Sequence, residues 1–194
     1  MDRRAVIFDM DGTLTRPQFD FDAIRRDIGL KDEPILETLV RMPPDQRRRA
    51  EAILNKYEAQ FAASSELQPG AGPIVSAIRR AGFALALMTR NSRESTAVFL
   101  ERHRLTFDVV WTRADGPMKP SPEPVIEICR RLGVAPARAW VVGDYLYDIQ
   151  CGRSAGAHTV LLLNNGKRPR WADEAEHVIE SLDALAVILE IEYA

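Results

Sequence analysis

The chain has 194 residues, 46% of them hydrophobic and 28% charged, which suits a soluble globular fold with one generous core or a core plus a small insertion. A net charge of −2 gives no electrostatic case for nucleic acid or an anionic membrane, and no apolar run approaches the roughly 18 residues that span a bilayer. The first apolar run follows directly on Met1-Asp2-Arg3-Arg4, so no signal peptide is expected, and Cys129 and Cys151, without CxxC spacing, read as reduced packing residues of a cytoplasmic protein.

That first run, Val6 to Thr13, stops in two aspartates one residue apart, then a glycine and a threonine. Strand side chains alternate faces, so Asp9 and Asp11 point the same way and Met10 the other. Two carboxylates crowded on one face repel, unless a cation neutralises them or one keeps its proton. A bound Mg2+ would do the first and would suit phosphate chemistry. Gly12 lets the chain turn away with N–H groups available to a small anion.

After Thr15 the apolar spacing becomes helical. Helices are expected over 20–30, 34–42 and about 44–63, with Pro43 and Pro44 separating the second from the third. This all-helical stretch ends at Leu67-Gln68-Pro69-Gly70, a turn signal. Beyond it helix and strand alternate. Helices are expected over 74–81, 92–103, 122–132, 148–155 and 182–191, and strands over 83–89, 107–112, 139–143, 159–163 and 177–180. Short Val, Leu, Ala and Ile runs without polar alternation suit strands buried on both faces. The expected fold is therefore α/β, a doubly wound, Rossmann-like parallel sheet of residues 1–15 and 69–194, with residues 16–68 as a small all-helical cap inserted after the first strand.

Ligands of open parallel sheets bind beyond the carboxyl ends of the strands. The first strand delivers Asp9 and Asp11 there, and the second delivers Thr89, Arg90 and Asn91. The third leads to Lys119, and the fourth delivers Asp144, with Asp148 four residues on. Singly these have dull explanations: Thr89 as a turn residue, Lys119 as a solvated loop lysine, Asp144 as a helix cap. Their coincidence at one sheet edge is what the dull explanations leave out.

D-M-D-G-T, the strand-terminal Thr89, Lys119 in K-P-S-P-E and G-D-Y-L-Y-D together resemble the four ordered motifs of the haloacid dehalogenase-like hydrolases, over residues 4 to about 160. The likeness is to the phosphoglycolate phosphatase and β-phosphoglucomutase type, with a cap of about 50 residues that is short for that type. Tyr145 and Arg90 depart from the small polar residue and the asparagine frequent at their positions. The resemblance implies a Mg2+-dependent phosphomonoester hydrolase of a small phosphorylated metabolite, phosphoglycolate-like or a sugar phosphate. Asp9 would be the nucleophile and Asp11 the general acid and base. Thr89, Arg90, Asn91 and Lys119 would hold the phosphoryl group, and Asp9, Asp11 (through its backbone carbonyl), Asp144 and Asp148 would serve the metal. A sugar-phosphate mutase shares every core motif, and a non-catalytic phosphate-binding or scaffold homologue is the alternative from another class.

In the insert, Arg25, Arg26, Arg41 and Arg47-Arg48-Arg49 invite a role in selecting an anionic leaving group. The plainer expectation is arginines solvated on helix faces and paired with acids such as Asp45 and Glu51. His103, His158 and His177 show no ligand spacing, and Trp171 is expected to pack against the core.

Overall fold

A computed structural model describes residues 3–17 and 19–193, so Met1, Asp2, Gln18 and Ala194, which the sequence assigns to the sheet unit, the insert and the terminus, lie outside the described residues. Strand β1 (Ala5–Phe8) opens the chain. Helices α1 (Phe21–Ile28), α2 (Ile35–Arg41) and α3 (Pro44–Ser64) follow, and then α4 (Ala71–Arg80) leads into β2 (Ala84–Met88). Next come α5 (Arg93–His103), β3 (Val109–Trp111), α6 (Glu123–Leu132), β4 (Ala139–Gly143) and α7 (Leu146–Ala155). The chain closes with β5 (His158–Leu162), β6 (His177–Ile179) and the one-turn α8 (Leu185–Ile188).

The six strands form one sheet in the order β3-β2-β1-β4-β5-β6, with every pair parallel. From β1 the chain winds outward through β2 and β3, then returns to the other side of β1 for β4, β5 and β6. The order thus reverses between β1 and β4, and open α/β sheets take their ligands at that reversal. Along β1, Val6 and Phe8 join one buried cluster with Leu85, Leu87, Val142 and Val160. Ala5 and Ile7 join the opposite one with Ala84, Ala86, Met88 and Val141. Helices cover both faces, so the strands could be apolar throughout, as their sequences are.

Helices α1, α2 and α3 bury an apolar cluster of their own: Ile24, Ile35, Leu39, Ala50 and Leu54. The connections to the sheet unit run side by side, joined by an antiparallel bridge between Thr15 and Leu67 and by Gln68 N–H donating to the Leu14 carbonyl at 2.8 Å. Several ends follow from local sequence. Asp20 caps α1 by accepting from the Ala23 N–H at 2.9 Å, Ser92 caps α5, and Gly133 closes α6 in the left-handed region.

The last expected helix, 182–191, is shorter in the structure. Ser181 caps a 3-10 turn at Leu182–Ala184, and Glu190 enters the left-handed region at φ 54° and ends the helix. Ile191 and Tyr193 then fold back onto the main cluster, so the apolar period past 188 belongs to a returning chain. Both cysteines are buried and free, on α6 and α7. Among the described residues no helix is long and apolar enough to cross a membrane.

Candidate active site

Asp9 and Asp144 directly follow β1 and β4, the two neighbouring strands at the reversal. Asp9 is tied in place by its N–H, which donates to the Val142 carbonyl at 2.9 Å. Its side chain is buried and receives Lys119 Nζ on Oδ1 at 2.5 Å and the Thr13 hydroxyl on Oδ2 at 3.3 Å. Lys119 also reaches Asp148 Oδ1 at 2.6 Å from the first turn of α7. Burial pulls the Lys119 ammonium down, but the Asp148 and Asp9 carboxylates outweigh it and hold the lysine charged, above its ordinary value.

Asp11 has a different environment. Its Oδ2 accepts from the Asn91 carboxamide at 2.7 Å, and its Oδ1 is buried without a hydrogen-bond partner. Burial first, and then the nearby Asp9 charge, push its carboxyl well above the usual carboxylate range. One carboxyl of the pair is therefore clamped by a cation, while the other is poised to carry a proton.

Asp9, Asp144 and Asp148 each offer a carboxylate oxygen, and these oxygens lie within 4.8 Å of one another. Burial, followed by the charges of Asp9 and Asp148, raises Asp144 to about 8. Burial likewise raises Asp148 to about 6, against the pull of Lys119. All-oxygen donors whose mutual repulsion a cation would relieve fit a hard divalent ion such as Mg2+. Two glycines make room for this crowding. A Cβ on Gly12, at φ +80°, would lie 2.1 Å from Asp144 Oδ2, and a Cβ on Gly143 would lie 2.2 Å from Asp148 Cγ.

The sequence did not single out the outer support of this cluster. Asn164, just past β5, donates through Nδ2 to Asp144 Oδ2 at 2.9 Å and to the Gly12 carbonyl at 2.8 Å. Gln68, in the returning connection, donates to Asn164 Oδ1 at 2.7 Å and to the Gly12 carbonyl at 3.3 Å. Nothing short-range marks either residue, because their partners lie far away along the chain.

The groups after β2 differ in part from expectation. Thr89 is buried, and its hydroxyl accepts from the Asn91 N–H at 3.1 Å, so that N–H is engaged rather than open to an anion. The Ser92 N–H is likewise taken, by Glu58 Oε2 at 3.0 Å. Arg90 and Asn91 line a cavity of about 780 Å3 between the helical insert and the sheet edge, whereas Thr89 does not. Arg90 reaches across it to Glu37 of α2, with Nη2 and Oε1 2.5 Å apart, and leaves its Nε as a buried donor without a partner.

Of the arginines singled out in the insert, only Arg25 lines the cavity, and it pairs with Asp22 at 2.9 Å. Arg47 pairs with Glu51 at 2.7 Å and Arg48 with Asp45, as the plainer expectation had it. His158 stacks on Trp140 with ring centroids 4.8 Å apart and faces Glu176, away from the aspartates, and Trp171 packs beside a small buried cluster.

Residues 15–162 match the haloacid dehalogenase-like hydrolase family. An uncharacterised hydrolase of Saccharomyces cerevisiae is 34% identical over 97% of this chain and 90% of its own length. A phosphoglycolate phosphatase of Nitrosospira multiformis is 30% identical over 95% of this chain and 91% of its own. Among solved structures, a hydrolase from Pseudomonas syringae superposes with a TM-score of 0.80 at 20% identity, covering 97% of this chain and 99% of that one, and so shows the same fold.

Proposed function

The chain belongs to the haloacid dehalogenase-like hydrolases, and from that membership we propose that it is a Mg2+-dependent phosphatase that hydrolyses monoesters of a small metabolite through an aspartyl-phosphate on Asp9. The carrying observation is the division between the two motif aspartates: Asp9 is ion-paired to Lys119, while Asp11 is half-buried, held by Asn91 and raised well above the ordinary range. We take residues 16–68 as the cap and the remainder as the catalytic unit.

Asp9, Asp144 and Asp148, with the Asp11 carbonyl, would hold the metal. When bound, it neutralises the clustered carboxylates and the phosphoryl oxygens they would otherwise repel. Asp9 attacks phosphorus in line; a carboxylate–phosphorus bond forms as the bond to the leaving oxygen breaks. Asp11, protonated at the outset, delivers its proton to that oxygen and so releases a neutral alcohol. The same carboxylate, now ionised, takes a proton from a water that attacks the phosphorus. The bond to Asp9 breaks, and inorganic phosphate leaves. Lys119 fixes Asp9 and offsets charge throughout, and Asn91 orients Asp11, with Thr89 buttressing the Asn91 turn.

With 4-nitrophenyl phosphate and Mg2+, the wild-type protein is expected to release phosphate catalytically. Asp9→Asn is expected to abolish turnover while keeping the wild-type far-UV circular dichroism and a similar Tm. Phosphate release at the wild-type rate by that variant would overturn the assignment.

A further inference from the structure

The cavity lining beyond Asp9, Asp11, Asp144 and Asp148 narrows the substrate, given the phosphatase activity proposed above. Two cations lie in that lining, Arg25 and Arg90, and the charge of each is already matched. Arg25 Nη1 lies 2.9 Å from Asp22 Oδ1, and its Nε donates to the Glu33 carbonyl at 3.3 Å. Arg90 Nη2 lies 2.5 Å from Glu37 Oε1. Lys119, the remaining cation of the lining, is held between Asp9 and Asp148. Asp20 and Asp32 also line the cavity; Asp20 accepts from the Ala23 N–H, and neither is ion-paired to a cation among the described residues. A carboxylate or second phosphate on the leaving group would meet net negative charge there, with no open cation to receive it.

A second, independent feature is aromatic. Phe21 and Tyr145 are 51% and 55% exposed, and they are the only aromatic residues among the large exposed hydrophobics of the described residues. Both line this cavity, Phe21 from the insert and Tyr145 from the loop after β4. Phe19 stacks on Phe21 with centroids 5.3 Å apart, and Tyr147 meets Tyr145 edge-on at 5.1 Å, so each exposed ring has a backing ring. Exposed π faces in a cavity that also carries carboxylates without a cation partner suit apolar, aromatic or cationic groups.

We propose that the preferred substrates are phosphomonoesters whose leaving alcohol is uncharged or cationic and presents an apolar or aromatic face, and that a second anionic group on the leaving alcohol is rejected. This departs from the phosphoglycolate in the name of the Nitrosospira relative. The determinants are Glu37, which neutralises Arg90, and Asp32.

The test is steady-state kinetics with Mg2+ on phenyl phosphate, choline phosphate and 2-phosphoglycolate. The wild-type protein is expected to favour the first two over 2-phosphoglycolate by about 100-fold in kcat/KM, the scale that like-charge juxtaposition gives at a binding site. Glu37→Gln, which leaves Arg90 uncompensated, is expected to move the ratio about tenfold toward 2-phosphoglycolate, and Asp32→Asn to move it the same way by about two- to threefold. Turnover of 2-phosphoglycolate equal to or better than the other two, or a ratio that neither variant moves, would overturn the proposal. A protein that releases phosphate from none of the three would instead take down the phosphatase assignment, and the proposal with it.

Discussion

Asp144 packs so closely on Gly12 that any side chain at position 12 would displace it, and Asn164 holds the two together through Asp144 Oδ2 and the Gly12 carbonyl. Gly12→Ala therefore carries two penalties, a methyl group 2.1 Å from a carboxylate oxygen and a positive φ that L side chains rarely adopt. Its effect should fall on the metal: Mg2+ is expected to bind about 10–100-fold more weakly, in proportion with losses seen when the supports of metal ligands are removed. Mg2+ titration of activity and of Tm measures this, and a wild-type Mg2+ response in Gly12→Ala would show that the Gly12–Asp144 contact does not matter. At this scale the sequence was informative where chemistry is compressed into a short string. Asp9, Asp11 and Gly12 stand together in four residues, and Asp144 and Asp148 in five. Asn164 and Gln68 were invisible because their roles come from contacts across 152 and 96 residues.

At the level of elements, helix α3 is joined to the sheet unit by a buried ion pair. Glu58, 3% exposed, accepts from Arg113 Nη1 at 2.5 Å, from the Ser92 N–H and from the Ser95 hydroxyl, and Arg113 also donates to Asn55 Oδ1 and to the Arg90 carbonyl. Glu58→Ala would leave a mostly buried guanidinium and a buried N–H without their acceptor. It is expected to cost about 3 kcal/mol in denaturant unfolding, within the range for breaking a buried pair. Adding Arg113→Ala should recover part of that loss in a double-mutant cycle, whereas strictly additive losses would show that the two side chains do not act together. Glu58 reads from the sequence as one more acid on a charged helix of low amphipathic contrast, and only docking against the α5 end of the sheet distinguishes it. Element boundaries inside the alternating region were legible because caps such as Ser92 and Gly133 mark them chemically. The end of the last helix was not, since Ile191 and Tyr193 keep an apolar pattern while packing back onto the main cluster outside any helix.

For the molecule as a whole, the sheet order brings the ends of β1 and β4 together, so four carboxyls gather around one lysine. Parallel pairing and two-sided burial could be read from unalternating apolar runs, whereas strand order is a tertiary property that those runs do not encode. The gathering has a thermodynamic consequence. Asp144 is raised by burial and then by Asp9 and Asp148 to about 8, and Asp148 by burial to about 6. A carboxyl whose folded value exceeds its unfolded one stabilises the fold at low pH, and that contribution is lost as pH rises through the folded value. The metal-free protein is thus expected to lose stability through a window from about pH 4 to about pH 8 on account of these groups. Because Mg2+ replaces the protons, it should raise Tm more at pH 8 than at pH 5. Scanning calorimetry at both values with chelator and with Mg2+ decides this, and an equal Mg2+ effect at the two would contradict it.

The most direct measurement traps the intermediate. Protein mixed with 32P-labelled phenyl phosphate and Mg2+ should be acid-quenched within a turnover, digested, and its peptides assayed for label. We expect acid-stable, hydroxylamine-labile label on the peptide that carries Asp9, and none in Asp9→Asn. Label that passes to inorganic phosphate during rapid turnover without ever residing on protein, or that resides on any other residue, would contradict covalent catalysis by Asp9.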